Sequence, residues 1–221
     1  MDERDRIGTY EVIVEECKGP NRNKKYVKES WRQDGDLHRV DGPAIFIKDL
    51  KGNVVLSEWY QYGQLHREDG EPASFADDGA KRTEVWASLG EPHRNKGPAR
   101  LVTDLASEVI VEEEYYWCGH EHRDNGPARI TRSSTTGTVT SEHWKFLGKS
   151  NRHNGPSFIE RDEQTGKTLV EQWRKKDKLH REEGPAVIYY SPEDGSVLTS
   201  RFYNDGKRVP SGQLETLTLD T

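Results

Sequence analysis

The run Trp31-Arg32-Gln33-Asp34-Gly35-Asp36-Leu37-His38-Arg39-Val40-Asp41-Gly42-Pro43-Ala44-Ile45-Phe46 is the first of six full copies of one unit, with a partial seventh behind them. Arg39 is followed by Arg67, Arg94, Arg123, Arg152 and Arg181, at intervals of 28, 27, 29, 29 and 29 residues. His38, His66, His93, His122 and His180 precede five of these arginines, and Asn151 stands in the remaining slot. Three places after each arginine comes Gly42, Gly70, Gly97, Gly126, Gly155 or Gly184. Proline follows directly at Pro43, Pro98, Pro127, Pro156 and Pro185, and Glu71 delays Pro72 by one place. Seven places before each histidine slot sits Trp31, Trp59, Trp86, Tyr115, Trp144 or Trp173, and Phe202 opens the partial copy. A period of this length marks an array, in which each unit buries its apolar face against its neighbours.

Within the unit, the residue after proline is small (Ala44, Ala73, Ala99, Ala128, Ser157, Ala186). Two places on, it is large and apolar (Phe46, Phe75, Leu101, Ile130, Ile159, Ile188). That is the period of a strand with one buried face, which starts at the proline, one of the few positions where a sheet tolerates that residue. Polar turns such as Lys51-Gly52-Asn53 and Asp194-Gly195 follow, and a second strand returns through Val55, Val111, Leu169 and Leu198 to the next aromatic. Each copy therefore reads as a β-hairpin, and the Gly-x-x-His-Arg-x-x-Gly-Pro segment as the link to the next.

Hairpin repeats with an aromatic, a turn glycine and a Gly-Pro start resemble the MORN repeat group in a variant form, over about Trp31 to Pro210. The period of 27–29 residues is longer than the usual MORN unit, and the His-Arg pair lies outside the ordinary pattern. The resemblance implies architecture and an interaction scaffold, which in some members is dimeric or lipid-associated. A homodimer is accordingly one expectation. The fold expected is all-β: an elongated antiparallel array of six full repeats plus a partial seventh. Residues 1–30 are expected to form an N-terminal β cap, 31–210 the repeats and 211–221 a C-terminal cap or tail. Tyr10–Cys17 would close one end and Leu214–Leu219 the other.

Composition fits a thin core. Hydrophobic residues are 31% and charged residues 33% of the chain, on the polar side of globular proteins. Six Trp, nine Tyr and five Phe argue against disorder. The net charge of −6 is mixed along the chain and does not favour nucleic acid. Cys17 and Cys118 are too few for a disulfide framework, no apolar run approaches a membrane span, and the N-terminus lacks a secretory signal, so a cytoplasmic location is expected.

The chemistry is weighed against this repetition. Catalysis needs one singular constellation, whereas the polar residues that recur here recur six times, so no enzyme, cofactor or metal site is expected. The six ladder arginines would suit a polyanion. They would equally suit Glu29, Glu84, Glu113, Glu142 and Glu171, which lie two places before an aromatic, on its side of the strand, and need a partner there. The structural reading of Arg39, Arg67, Arg94, Arg123, Arg152 and Arg181 is preferred, and anion or nucleic-acid binding along them is the alternative. Positions that vary between copies are freer to serve a partner. Tyr60, Tyr116, Phe158, Tyr189 and Tyr203, with Arg100, Arg129 and Arg174, are expected to face outward and bind a protein, for instance as an inhibitor of a partner enzyme.

Overall fold

A computed structural model describes residues 9–19 and 24–210. Every regular element among them is a strand, so no helix is long and apolar enough to cross a membrane. The chain divides into two compact units, Met1–Glu108 and Val109–Thr221. The first holds the aromatics of copies one to three and the second those of copies four to seven. The expected cap at Leu214–Leu219 lies outside the described residues. Its counterpart is the strand Glu11–Lys18, paired antiparallel with Lys25–Gln33 from Val12↔Trp31 to Cys17↔Tyr26.

In each unit the long strands form an antiparallel meander in which sequence neighbours are sheet neighbours. Those of the first unit are Glu11–Lys18, Lys25–Gln33, Ile45–Asp49, Val54–Glu58, Ser74–Asp77, Lys81–Val85 and Arg100–Asp104. The second unit runs from Ile110–Glu114 through Arg129–Arg132, Val139–His143, Phe158–Arg161, Thr168–Gln172 and Val187–Tyr190 to Val197–Asn204 and Lys207–Val209. The strands begin two residues after proline rather than at it, although the Ala128 and Ser157 amides already donate across the sheet.

Register explains why the pattern repeats so strictly. One row of the first unit reads Glu29, Phe46, Ser57, Phe75, Glu84, Leu101. The matching row of the second reads Glu113, Ile130, Glu142, Ile159, Glu171, Ile188, Ser200. A polar side chain on each returning strand thus alternates with a large apolar one on each outgoing strand. Each aromatic amide donates to the carbonyl of the small residue beside it, as in Trp31 to Ala44 (2.7 Å) and Trp173 to Ala186 (2.8 Å). The small residues Ala44, Ala73, Ala99, Ala128 and Ala186 are completely buried. Leu198, read as a face residue of the last returning strand, is instead exposed.

The linking segment is not a plain connector. It contains a second, two-residue hairpin, for example Tyr60–Gln61 against Gln64–Leu65 and Lys145–Phe146 against Lys149–Ser150. Its turn has two consecutive residues with positive φ, such as Tyr62 (49°) and Gly63 (76°), the type I′ geometry that glycine favours at its second position. Cys118-Gly119 is the same turn in the fourth copy. The hairpin closes where each ladder residue donates its amide to the aromatic carbonyl, as in His66 to Trp59 (2.9 Å).

Candidate functional site

The connector arginines have a different partner from the one expected. Each lies flat on the aromatic of its own copy, with the guanidinium carbon 3.6–4.1 Å from the ring centroid in all six. Each also donates Nη1 to the carbonyl at the proline slot, at 3.0–3.4 Å. The glycine three places on leaves room for this stack. A Cβ on Gly126 would lie 2.8 Å from the Arg123 guanidinium, and one on Gly42 or Gly155 would lie 2.9 Å from Arg39 or Arg152. In copies one, four and five the Arg-x-x-Gly is therefore one packing device, a cation over an aromatic face backed by a residue without a side chain, whereas a Cβ on Gly70 would meet nothing within 4 Å.

Four of the five glutamates of the aromatic row assigned above to these arginines, Glu29, Glu113, Glu142 and Glu171, bond elsewhere. Glu29 accepts from Trp31 Nε1 (2.6 Å) and Glu113 from Tyr115 Oη (3.0 Å). Glu113, Glu142 and Glu171 reach Arg132, Arg161 and Tyr190 on the adjacent outgoing strand. A residue two places along the neighbouring strand is closer to the row than the connector is. Burial, together with the hydrogen bond and charge of Glu171, pushes the Tyr190 phenol up to about 12.

The ladder histidines join successive copies. Nδ1 of His38, His66, His122 and His180 accepts from the first turn amide of the following copy: Tyr62 (3.1 Å), Leu89 (3.1 Å), Leu147 (3.3 Å) and Asp205 (3.2 Å). The next turn amide donates to the carbonyl just before the histidine, as Gly63 does to Leu37 (2.9 Å). Where Asn151 replaces histidine, the following turn carries Asp177 in place of glycine, and Asp177 Oδ1 accepts from the Ser150 amide (2.8 Å).

All eight residues expected to face outward are half-buried on the sheet face opposite the aromatic row. Tyr60 and Arg100 belong to the first unit, with Ile45, Ile47, Leu56, Val85 and Val102 around them. The second unit brings six together, in rows reading Glu114, Arg129, His143, Phe158, Gln172, Val187 and Glu112, Thr131, Ser141, Glu160, Val170, Tyr189. Tyr116 and Arg174 follow Glu114 and Gln172 on the same face, and Tyr203 follows Arg201 in the same alternation.

Several are tied to their neighbours. Arg129 Nε donates to Glu112 (2.8 Å) and Nη2 approaches Glu114 (3.3 Å). Tyr116 Oη donates to Glu114 (3.0 Å) and Tyr60 Oη to Glu58 (3.2 Å). Burial and these carboxylates push both phenols up to about 12. Lys145 pairs with Glu121, and Arg174 donates to Gln172 (2.9 Å) and the Asp177 carbonyl (2.8 Å). His143 lies tilted at 58° against Phe158, with ring centroids 4.6 Å apart, and burial followed by the Lys145 and Arg129 charges lowers its imidazole pKa. Phe158, Tyr189 and Tyr203 are the members held least by polar bonds.

Between successive connectors lie grooves that the sequence reading did not single out. One of about 610 Å³ runs between copies five and six, and another of about 530 Å³ between copies one and two. Their walls are set by the residues beside the ladder arginines and in the short hairpins, and the run Arg174-Lys175-Lys176 was the sequence signal for the first. No family model and no curated protein matches this chain.

Proposed function

We propose that this chain is a non-enzymatic, MORN-like repeat scaffold that binds a protein partner through the sheet face opposite the aromatic row. The observation that carries this reading is the sharing of one face of the second unit by Tyr116, Phe158, Tyr189, Tyr203, Arg129 and Arg174. The repeat does not require these residue types, since other copies put Ala87 or Lys145 where Tyr116 and Tyr203 stand. Tyr and Arg on a flat, partly shielded surface are the side chains that anchor protein interfaces. Blocking a partner enzyme is one task such a grip would serve. Polyanion tracking by the ladder is less well supported, because every ladder guanidinium has one face on a ring and one donor on a carbonyl.

The test is an affinity pull-down read by mass spectrometry, with wild-type chain and a Tyr189→Ser/Tyr203→Ser variant as baits. We expect a protein retained by the wild type and lost by the variant at equal melting temperature. Equal retention by both would move the interface to an edge or a connector. A bound species that is nucleic acid and is released steeply by salt would replace the reading with the ladder alternative.

A further inference from the structure

Resting on the protein-binding reading, we infer that the groove between copies five and six of the second unit is a receptor for an acidic peptide segment, with Arg152 as its carboxylate fork. Three observations meet there. The groove is lined by Arg152, Lys175, Lys176 and Arg181, with Arg174 beside them held to Gln172 and the Asp177 carbonyl, against two carboxylates, Glu182 and Glu183. Glu182 is already engaged at long range, 3.7 Å from Lys175 and 3.9 Å from His180. The groove between copies one and two reverses this balance, with Asp41, Glu68 and Asp69 against Arg39 and Arg67.

The second observation is an internal example of the proposed ligand. In copy two, the edge of Arg67 not used by the proline-slot carbonyl is filled by Asp69, two residues on. Both Nε (3.0 Å) and Nη2 (2.8 Å) donate to Asp69 Oδ2. In copy two, where Glu71 lengthens the loop, the guanidinium edge thus accommodates a carboxylate, whereas Asp41 and Glu183, at the same offset from Arg39 and Arg181, make no such pair among the described residues. In copy five the residue at that position is Asn154, and among the described residues no carboxylate lies within ion-pair distance of Arg152. Arg152 itself is held by Trp144 at 3.7 Å and by the Pro156 carbonyl at 3.2 Å, so its free edge is fixed in place before any ligand arrives.

The third observation is shape. The groove is open to solvent, holds about 610 Å³ and includes Trp173, which is room for several peptide residues rather than for one small anion. A chain carrying repeated carboxylates meets Arg152 at one side and Lys175 and Lys176 at the other, while its backbone crosses the aromatic wall.

The test uses the full chain and a fluorescein-labelled hexaglutamate peptide, followed by anisotropy, with hexaglutamine as the neutral control. We expect binding of hexaglutamate only, weakening with salt. Asn154→Asp places in copy five the carboxylate that copy two already has. It should lower the affinity about tenfold, the effect of one charge-assisted contact, with no loss of melting temperature. Lys175→Gln/Lys176→Asn should lower it similarly, and Asp69→Asn should leave it unchanged. Absence of hexaglutamate binding, or binding indifferent to Asn154→Asp, would overturn the inference. So would inorganic phosphate or anionic lipid vesicles competing as well as the peptide, since the trench would then be a general anion site. Because the probe is not the captured partner, failure here leaves the sheet-face reading standing, and failure of the pull-down leaves this measurement interpretable.

Discussion

Arg67 and Arg152 occupy the same place in the repeat, stack on equivalent tryptophans at 4.1 and 3.7 Å, and bond equivalent carbonyls. They differ in the residue before them (His66 against Asn151), in the Glu71 that lengthens the copy-two loop, and in what stands two residues on, Asp69 in one copy and Asn154 in the other. The contrast separates two kinds of position. The residue that recurs in every copy holds the copy together, and the variable residues beside it set whether its charged edge finds a carboxylate within the molecule.

The largest effect should come from attacking what the two copies share. Arg152→Ala removes a stacked cation and a hydrogen bond and should cost about 1–3 kcal/mol in urea denaturation. A change of the same size is expected for Arg67→Ala, and stability unchanged by both would mean the stack is not structural. Next comes the sixth copy, where Asp177 takes the glycine position of the turn at φ 72° and caps the Ser150 amide. Asp177→Ala keeps the backbone strain and loses the cap, and should cost about 1–2 kcal/mol. Asp177→Gly relieves the strain and should lie within about 0.5 kcal/mol of wild type.

A smaller change is expected for Asp69→Asn, which opens the copy-two fork. The carboxylate is half exposed, so thermal melting should report no more than about 1 kcal/mol. The smallest effect concerns two loop carboxylates, Asp162, six places after Pro156, and Asp194, nine places after Pro185. Asp162 and Asp194 cap their loops with depressed pKa values, through hydrogen bonds from Thr165 in the first and from Ser196 in the second, where the value falls to about 2. A carboxylate depressed in the folded state stabilises above its unfolded value near 4 and loses that contribution as pH falls through the folded value. Amide protection should therefore fall in the Asp194 loop between about pH 4 and 2, and in the Asp162 loop as pH drops below about 4. The Ser133 loop, capped by a hydroxyl, should not respond.

The all-β fold was legible because aromatic, glycine, proline and alternating small and large residues recur in register. The type I′ hairpins were not, since strands of two residues are too short to show alternation, although Asp34-Gly35 and Asp205-Gly206 carry the turn signal. The ladder was read as structural for the wrong reason. Charge complementarity pointed to Glu29 and its equivalents, whereas the ring eight places earlier in sequence folds back under the guanidinium once the short hairpin closes. The outward face was legible from alternation. The trench was not, because its walls come from neighbouring copies and its fork depends on the absence of a carboxylate at Asn154.

The bonds that join copies within each unit run in both directions. Turn amides such as those of Tyr62, Leu147 and Asp205 in the later copy donate to His38, His122 and His180 in the earlier one. In return, the Arg39 and Arg181 amides of the earlier copy donate to the Tyr60 and Tyr203 carbonyls of the later one, and the Ser150 amide donates to Asp177. Each such join is a closed exchange, so a cut there leaves an amide on either side without its acceptor, and shortening the array costs pairing whichever end it starts from.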